Sequence, residues 1–169
     1  MMQIALILCM AQAYEAILIK DGKKNADAFK AAIEWKHPEK DEVNIDEEDR
    51  EYLSVIVAAI RYAENGGQGK EYGILHPRAN TYRKQAGWCA KTVSNKYKAW
   101  KELVRKGKLD DGNKSFLIYL GSKYAPIGAD NDPHGLNKNW VPNVQFYQKK
   151  IVFGDIKKPE PILEGRIDG

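Results

Sequence analysis

Cysteine is scarce in this chain of 169 residues: only Cys9 and Cys89 occur, and neither lies in a CxxC spacing. A disulfide-rich scaffold or a thiolate zinc site is therefore excluded, and the two read as small buried hydrophobes or at most one bridge. Histidine is equally sparse. His37, His76 and His134 stand apart from one another, so no metal-ligand spacing exists and neither a metal nor another cofactor is expected. Ser54, Ser94, Ser115 and Ser122 all lack a G-x-S-x-G setting, which leaves serine hydrolysis unsupported. No repeat and no low-complexity segment is present.

A large excess of one charge is missing too. The 27 Lys and Arg are offset by 23 Asp and Glu, giving a net charge of +4. A nucleic-acid binder usually gathers its cations in a stripe interleaved with aromatics, and these are spread along the chain, so no nucleic-acid partner is expected. At 43% hydrophobic and 30% charged residues, the balance is that of one globular domain with one core, expected to act as a monomer.

Long hydrophobic runs are likewise absent, with one near exception. The start, MMQIALILCMAQAYEAILIK, is mostly apolar, but no Lys or Arg precedes it and Gln12 and Glu15 interrupt it. A packed amphipathic helix fits better than an export signal or anchor, which needs a positive flank or about 20 unbroken apolar residues. Because Ala11-Gln12-Ala13 faintly resembles a signal-peptidase site, membrane contact by this segment is the alternative.

Two familiar loops are incomplete. Gly66-Gly67-Gln68-Gly69-Lys70 lacks the Ser/Thr of a phosphate-binding loop, having Glu71 there, and follows a helix rather than a strand. Asp130-Asn131-Asp132-Pro133-His134-Gly135 opens like a calcium loop, but its twelfth position is Val141, so a turn held by Asp side chains is the better reading.

The periodicity predicts a first helix ending at Asp21-Gly22 and a second over Ala26 to Trp35, with Phe29, Ile33 and Trp35 as contacts, stopped by His37-Pro38. The acidic run Glu39 to Glu51 reads as a solvated loop leading into the negative first turn of a long helix. That helix, capped by Asn44 or Asp46, runs to Gly66-Gly67. The next twelve residues, GGQGKEYGILHP, hold four glycines and one proline, which predicts turns with one short extended piece at Tyr72 to Leu75. Thr81 to Val104 forms one or two helices around Gly87. Lys106 to Lys114 is a polar loop, Ser115 to Tyr124 a short helix, and Tyr124 to Asn139 irregular. A last helix starts at Trp140, with Val141, Val144, Tyr147 and Ile151 on one stripe.

Within this pattern Glu64 stands out. At ~100° per residue it falls about 20° from Leu53 and about 40° from Ile60, on the apolar face of the long helix. It also sits in the last turn, where the helix dipole is negative, and follows an apolar stretch; both disfavour the ionised form. A carboxylic acid kept neutral near pH 7 is what protonation of a leaving sugar oxygen requires. The plainer alternative is a helix-end Glu paired with Arg61 or Lys70.

The string Ala59-Ile60-Arg61-Tyr62-Ala63-Glu64-Asn65-Gly66, followed by Gly67, Gly69 and Glu71-Tyr72-Gly73-Ile74-Leu75, resembles the signature of soluble lytic transglycosylases, goose-type lysozymes and their phage relatives. Phe116 to Tyr124, and Asn137-Lys138-Asn139-Trp140-Val141 with Val144 and Tyr147, look like the closing part of the same fold. The resemblance covers about Asp46 to Ile151. It implies a mostly helical, lysozyme-like α+β fold, with a small extended segment at Tyr72 to Leu75 flooring a sugar cleft. Residues 1–43 would be an N-terminal helical segment packing on or preceding the domain, 44–154 the catalytic domain, and 155–169 a tail.

The implied activity is cleavage of the β-1,4 bond between N-acetylmuramic acid and N-acetylglucosamine in peptidoglycan, with Glu64 as general acid. Glu71 is the candidate second carboxylate, its alternative being a surface pair with Lys70 or Arg78. Tyr72, Gly73, Ile74, Tyr124, Asn137, Trp140 and Tyr147 are the implied substrate contacts, although core packing is the commoner role for each of Tyr72, Tyr124 and Tyr147 taken alone. The partner is the glycan strand, met from a phage virion or from the host cytoplasm or periplasm. A non-catalytic virion or wall-binding protein is the competing class.

Overall fold

The computed structural model describes residues 2–33, 46–65, 72–110, 112 and 115–154. Among the described residues the elements in order are α1 (Met2–Asp21), α2 (Lys23–Ile33), α3 (Glu47–Asn65), α4 (Tyr82–Arg105), α5 (Phe116–Tyr124), the 3-10 turn Leu136–Asn139, and α6 (Trp140–Phe153).

The centre of the molecule is α3. Leu53 and every residue from Val55 to Ile60 are buried, so this helix is apolar on all sides through its middle rather than along one stripe. A helix of that kind must be surrounded, and α6, α1 and α4 pack around it. Each buried Val, Leu or Ile contributes roughly 1.5–3 kcal/mol of transfer free energy, so burial anchors the helix whose last turn carries Glu64.

Its neighbours are tied to that last turn. Ala13 and Ile17 of α1, and Ala26, Phe29 and Ala32 of α2, belong to the same core as α3, so both of these helices are part of this packing. Gly22, at φ +80°, lets the chain reverse between α1 and α2, and its N–H donates to the Leu18 carbonyl. Arg61, 2% exposed, pairs with Asp21 at 3.1 Å, and the Tyr62 hydroxyl donates to the Ala16 carbonyl at 3.0 Å. Among the described residues no helix is long and apolar enough to cross a membrane.

The expected α+β class is corrected: the described residues are all helix, turn and coil, with no strand. The segment Tyr72 to Leu75, read as an extended piece on the floor of a cleft, is a turn leading into irregular chain. The physical reason lies in its backbone. A strand needs a partner for its N–H and C=O groups, whereas here the Tyr72 carbonyl accepts from the Tyr124 hydroxyl and the Ile74 carbonyl from Gln85 Nε2. Gly73, at φ +66°, also turns the chain out of the β region.

Smaller differences follow the same logic of caps and packing. Helix α2 begins at Lys23, three residues before the expected Ala26, and Trp35 lies outside the described residues. Helix α4 continues unbroken past Gly87. The Thr81 hydroxyl caps it by accepting from Lys84 N at 3.3 Å, and Ala86, Cys89, Ala90, Val93 and Tyr97 bury one face. Most of Tyr124 to Asn139 is irregular as expected, except that Leu136–Asn139 closes into a 3-10 turn. Asp132 holds that turn, its carboxylate accepting from the backbone N–H of Leu136 at 2.7 Å and of Asn137 at 2.9 Å.

Candidate active site around Glu64

Helices α3 and α6 run antiparallel: Tyr62 stacks on Tyr147, while Glu64, further along α3, meets Trp140 at the start of α6. The last turn of α3 is thereby set against the first turn of α6. The Glu64 carboxyl is half-buried there, with Trp140 Nε1 donating to Oε1 at 2.6 Å. Burial raises its pKa above the ordinary glutamate value, and the indole hydrogen bond, which favours the ionised form, opposes that only in part. Of the helix-end alternatives, Arg61 pairs with Asp21 and Lys70 lies outside the described residues.

The other oxygen has a different neighbour. A Cβ at Gly73 would collide with Glu64 Oε2 and Cδ, so the bare backbone of Gly73 is what allows the chain to pass so close to the carboxyl. An indole N–H can only donate, and an oxygen that accepts it is poorly placed to hold the acid proton. In the neutral form the proton therefore belongs on Oε2, on the Gly73 side.

Around this pair the site is built in layers. Tyr124 stacks on the Trp140 indole with ring centres 5.3 Å apart, and its hydroxyl donates to the Tyr72 carbonyl, linking α5, α6 and the loop after α3. Cys89 lies against the Tyr124 hydroxyl within electrostatic reach of Glu64. Burial, the main cause, pushes its thiol up to about 12, which favours the neutral form. Gly121 brings α5 close to α6, since a Cβ there would meet Val141 Cγ2 at 2.5 Å and Trp140 Cε3 at 3.3 Å. Gln85 Nε2 clamps the loop at two points, donating to the Ile74 carbonyl at 2.9 Å and the Ala79 carbonyl at 2.6 Å.

Of the residues expected at the site, Glu64, Gly73, Tyr124 and Trp140 come together, with Ile74 beside them. Tyr72 takes part through its carbonyl alone, because its ring is fully buried and its hydroxyl meets that of Tyr82 at 3.1 Å. Asn137 is turned to the Pro126 carbonyl, to which its side chain donates at 2.9 Å. Tyr147 lies seven residues beyond Trp140, about 10 Å along α6, against Tyr62. Glu71 lies outside the described residues. Sequence reasoning missed Gln85, although a Gln one and two turns before Cys89 and Val93 on a buried stripe is a visible anomaly. It also missed that Trp140 holds Glu64.

The chain matches no protein-family model, no curated protein and no solved structure.

Proposed function

We propose that this protein cleaves the β-1,4 bond between N-acetylmuramic acid and N-acetylglucosamine in peptidoglycan, with Glu64 as the proton donor. The observation that carries the reading is the setting of that carboxyl: burial favours its neutral form, and Trp140 engages one oxygen so that the proton is left on the other. The likeness of Ala59 to Leu75 to lytic transglycosylases and goose-type lysozymes supports the same chemistry. An all-helical scaffold does not weigh against it, since function resides in the site and not in the fold class.

As the bond from the anomeric carbon to the leaving oxygen breaks, its electron pair stays on that oxygen, which takes the proton from Glu64 Oε2. Positive charge then develops on the anomeric carbon and ring oxygen. The ionised Glu64 next removes a proton from the attacking group. If that group is the sugar's own 6-hydroxyl, an anhydro end results and Glu64 alone suffices. If it is water, a second carboxylate is needed, the role for which Glu71 is the nearest candidate in sequence.

The test is incubation of purified peptidoglycan with the protein and with Glu64→Gln, followed by mass spectrometry of the released muropeptides. Release by the wild type and loss of at least about a hundredfold in the variant are expected. Anhydro ends identify the intramolecular route and reducing ends the hydrolytic one. No release by the wild type would sink the reading in favour of a non-catalytic wall-binding or virion protein.

A further inference from the structure

Trp88 stands on α4 with 41% of its surface exposed, and the His76 ring stacks on it with centres 4.4 Å apart at 28°. A large ring two-fifths exposed forfeits part of the free energy its burial would bring, and among the described residues it is not part of the buried core. The pair is nevertheless held firmly. His76 lies between the two carbonyls that Gln85 clamps, and Trp88 follows Gln85 by three residues on the same helix face.

The pair also lies close to Glu64. His76 is three residues from Gly73, so their Cα atoms are within about 11 Å, and Gly73 abuts the Glu64 carboxyl. Cys89, next to Trp88 in sequence, is within electrostatic reach of the same carboxyl. Beside the indole the helix surface is bare: a Cβ on Gly87 would meet nothing within 4 Å. Lys84 and Lys91, one turn either side of Trp88, are exposed and border the indole along the helix, while Leu75, next to His76, adds 63% of its own surface to the exposed apolar face.

We infer that Trp88, backed by His76, is a stacking subsite for a neighbouring N-acetylated sugar ring of the glycan strand whose bond is cut at Glu64. The inference rests on the glycosidase reading and deepens it. A pyranose ring offers a face of C–H groups bearing slight positive charge, complementary to the negative face of an indole. His76 stacks on one face of that indole, and the 41% of Trp88 that remains exposed is the surface offered to the sugar.

The experiment uses the inactive Glu64→Gln protein, titrated with the β-1,4-linked tetramer of N-acetylglucosamine by calorimetry and tryptophan fluorescence. Adding Trp88→Ala is expected to weaken binding about three- to tenfold, and adding Trp88→Phe, which keeps an aromatic face, by less than about twofold. With Glu64 intact, Trp88→Ala should raise KM on purified peptidoglycan and leave kcat within about twofold, because a remote subsite contributes binding common to ground and transition states. Unchanged binding and unchanged KM in a Trp88→Ala protein that still cleaves would overturn the subsite and leave the glycosidase reading standing. A wild type that neither cleaves peptidoglycan nor binds the tetramer overturns both. Thermal melts of each variant within a few degrees of the parent are the folding check, and Trp88→Phe supplies a second measurement if Trp88→Ala unfolds.

Discussion

The indole N–H of Trp140 reaches one oxygen of the Glu64 carboxyl at 2.6 Å, across 76 positions of sequence. Two opposed influences therefore set the strength of this acid: burial raises its pKa and the indole lowers it. Trp140→Phe removes the donor while keeping a ring to stack on Tyr124. The pKa of Glu64 should then rise further, so the alkaline limb of kcat against pH should move to higher pH. A fall in maximal kcat of roughly tenfold is expected as the carboxyl loses its fixed orientation. A pH-rate profile on peptidoglycan reads both, and a limb that stays put or moves to lower pH contradicts the assignment.

The same raised pKa makes a prediction about stability. The folded state holds the Glu64 proton more tightly than the unfolded chain, where the ordinary value of 4.5 applies. The neutral carboxyl thus contributes stability that is complete below that value and is lost as pH rises through the raised one. Glu64→Gln, neutral at every pH, escapes the loss. Its melting temperature should exceed that of the wild type at neutral pH, and the gap should close as pH falls below the ordinary glutamate range. Melts from pH 3 to 8, a range set around those values, give the comparison; a gap that widens toward acid would reverse the sign of the argument.

Two helical glycines should respond oppositely to the same substitution. At Gly121 an added methyl group would strike Val141 and Trp140, so Gly121→Ala should destabilise by about 1–3 kcal/mol through overpacking and push Trp140 away from Glu64. At Gly87 it would meet nothing within 4 Å, so Gly87→Ala should stabilise by up to about 1 kcal/mol through helix propensity. Urea melts of the two variants side by side decide this. A stabilising Gly121→Ala would mean that α5 and α6 are not as close as described.

How much of this was legible in the sequence depended on the distance over which each contact acts. Glu64 could be placed on the buried face because Leu53, Val57 and Ile60 fix the helix phase within four turns, and burial followed from that phase. Trp140 as its hydrogen-bond donor could not, because the contact arises only when α6 packs antiparallel to α3. The Tyr72 to Leu75 segment was read as extended because it is a short apolar piece inside a glycine-rich stretch and because the resemblance implies a cleft floor there. What decides the matter is whether a partner strand or side chains meet its carbonyls, and Gln85 and Tyr124 do. The continuity of α4 past Gly87 reflects a similar balance, with a cost of about 1 kcal/mol for one glycine outweighed by the Thr81 cap and a long buried face.

The buried pair of Asp21 and Arg61, 9% and 2% exposed, joins the end of α1 to the turn of α3 that carries Glu64. Arg61 also lies over the rings of Tyr62 and Tyr82, at 5.6 Å and 5.8 Å. Removing one partner of a buried pair takes a neutralising charge from a desolvated neighbour, at a cost of about 3–5 kcal/mol. Asp21→Asn should therefore destabilise by roughly 3 kcal/mol, part being recovered because the amide oxygen still accepts. Asp27→Asn, which breaks the solvent-exposed pair of Lys23 and Asp27, should change stability little. Denaturant titrations of both variants test the contrast. If Asp21→Asn proves as mild as Asp27→Asn, the first helix is not clamped to the turn that carries Glu64, and its packing contributes less to holding Glu64 than the buried ion pair implies.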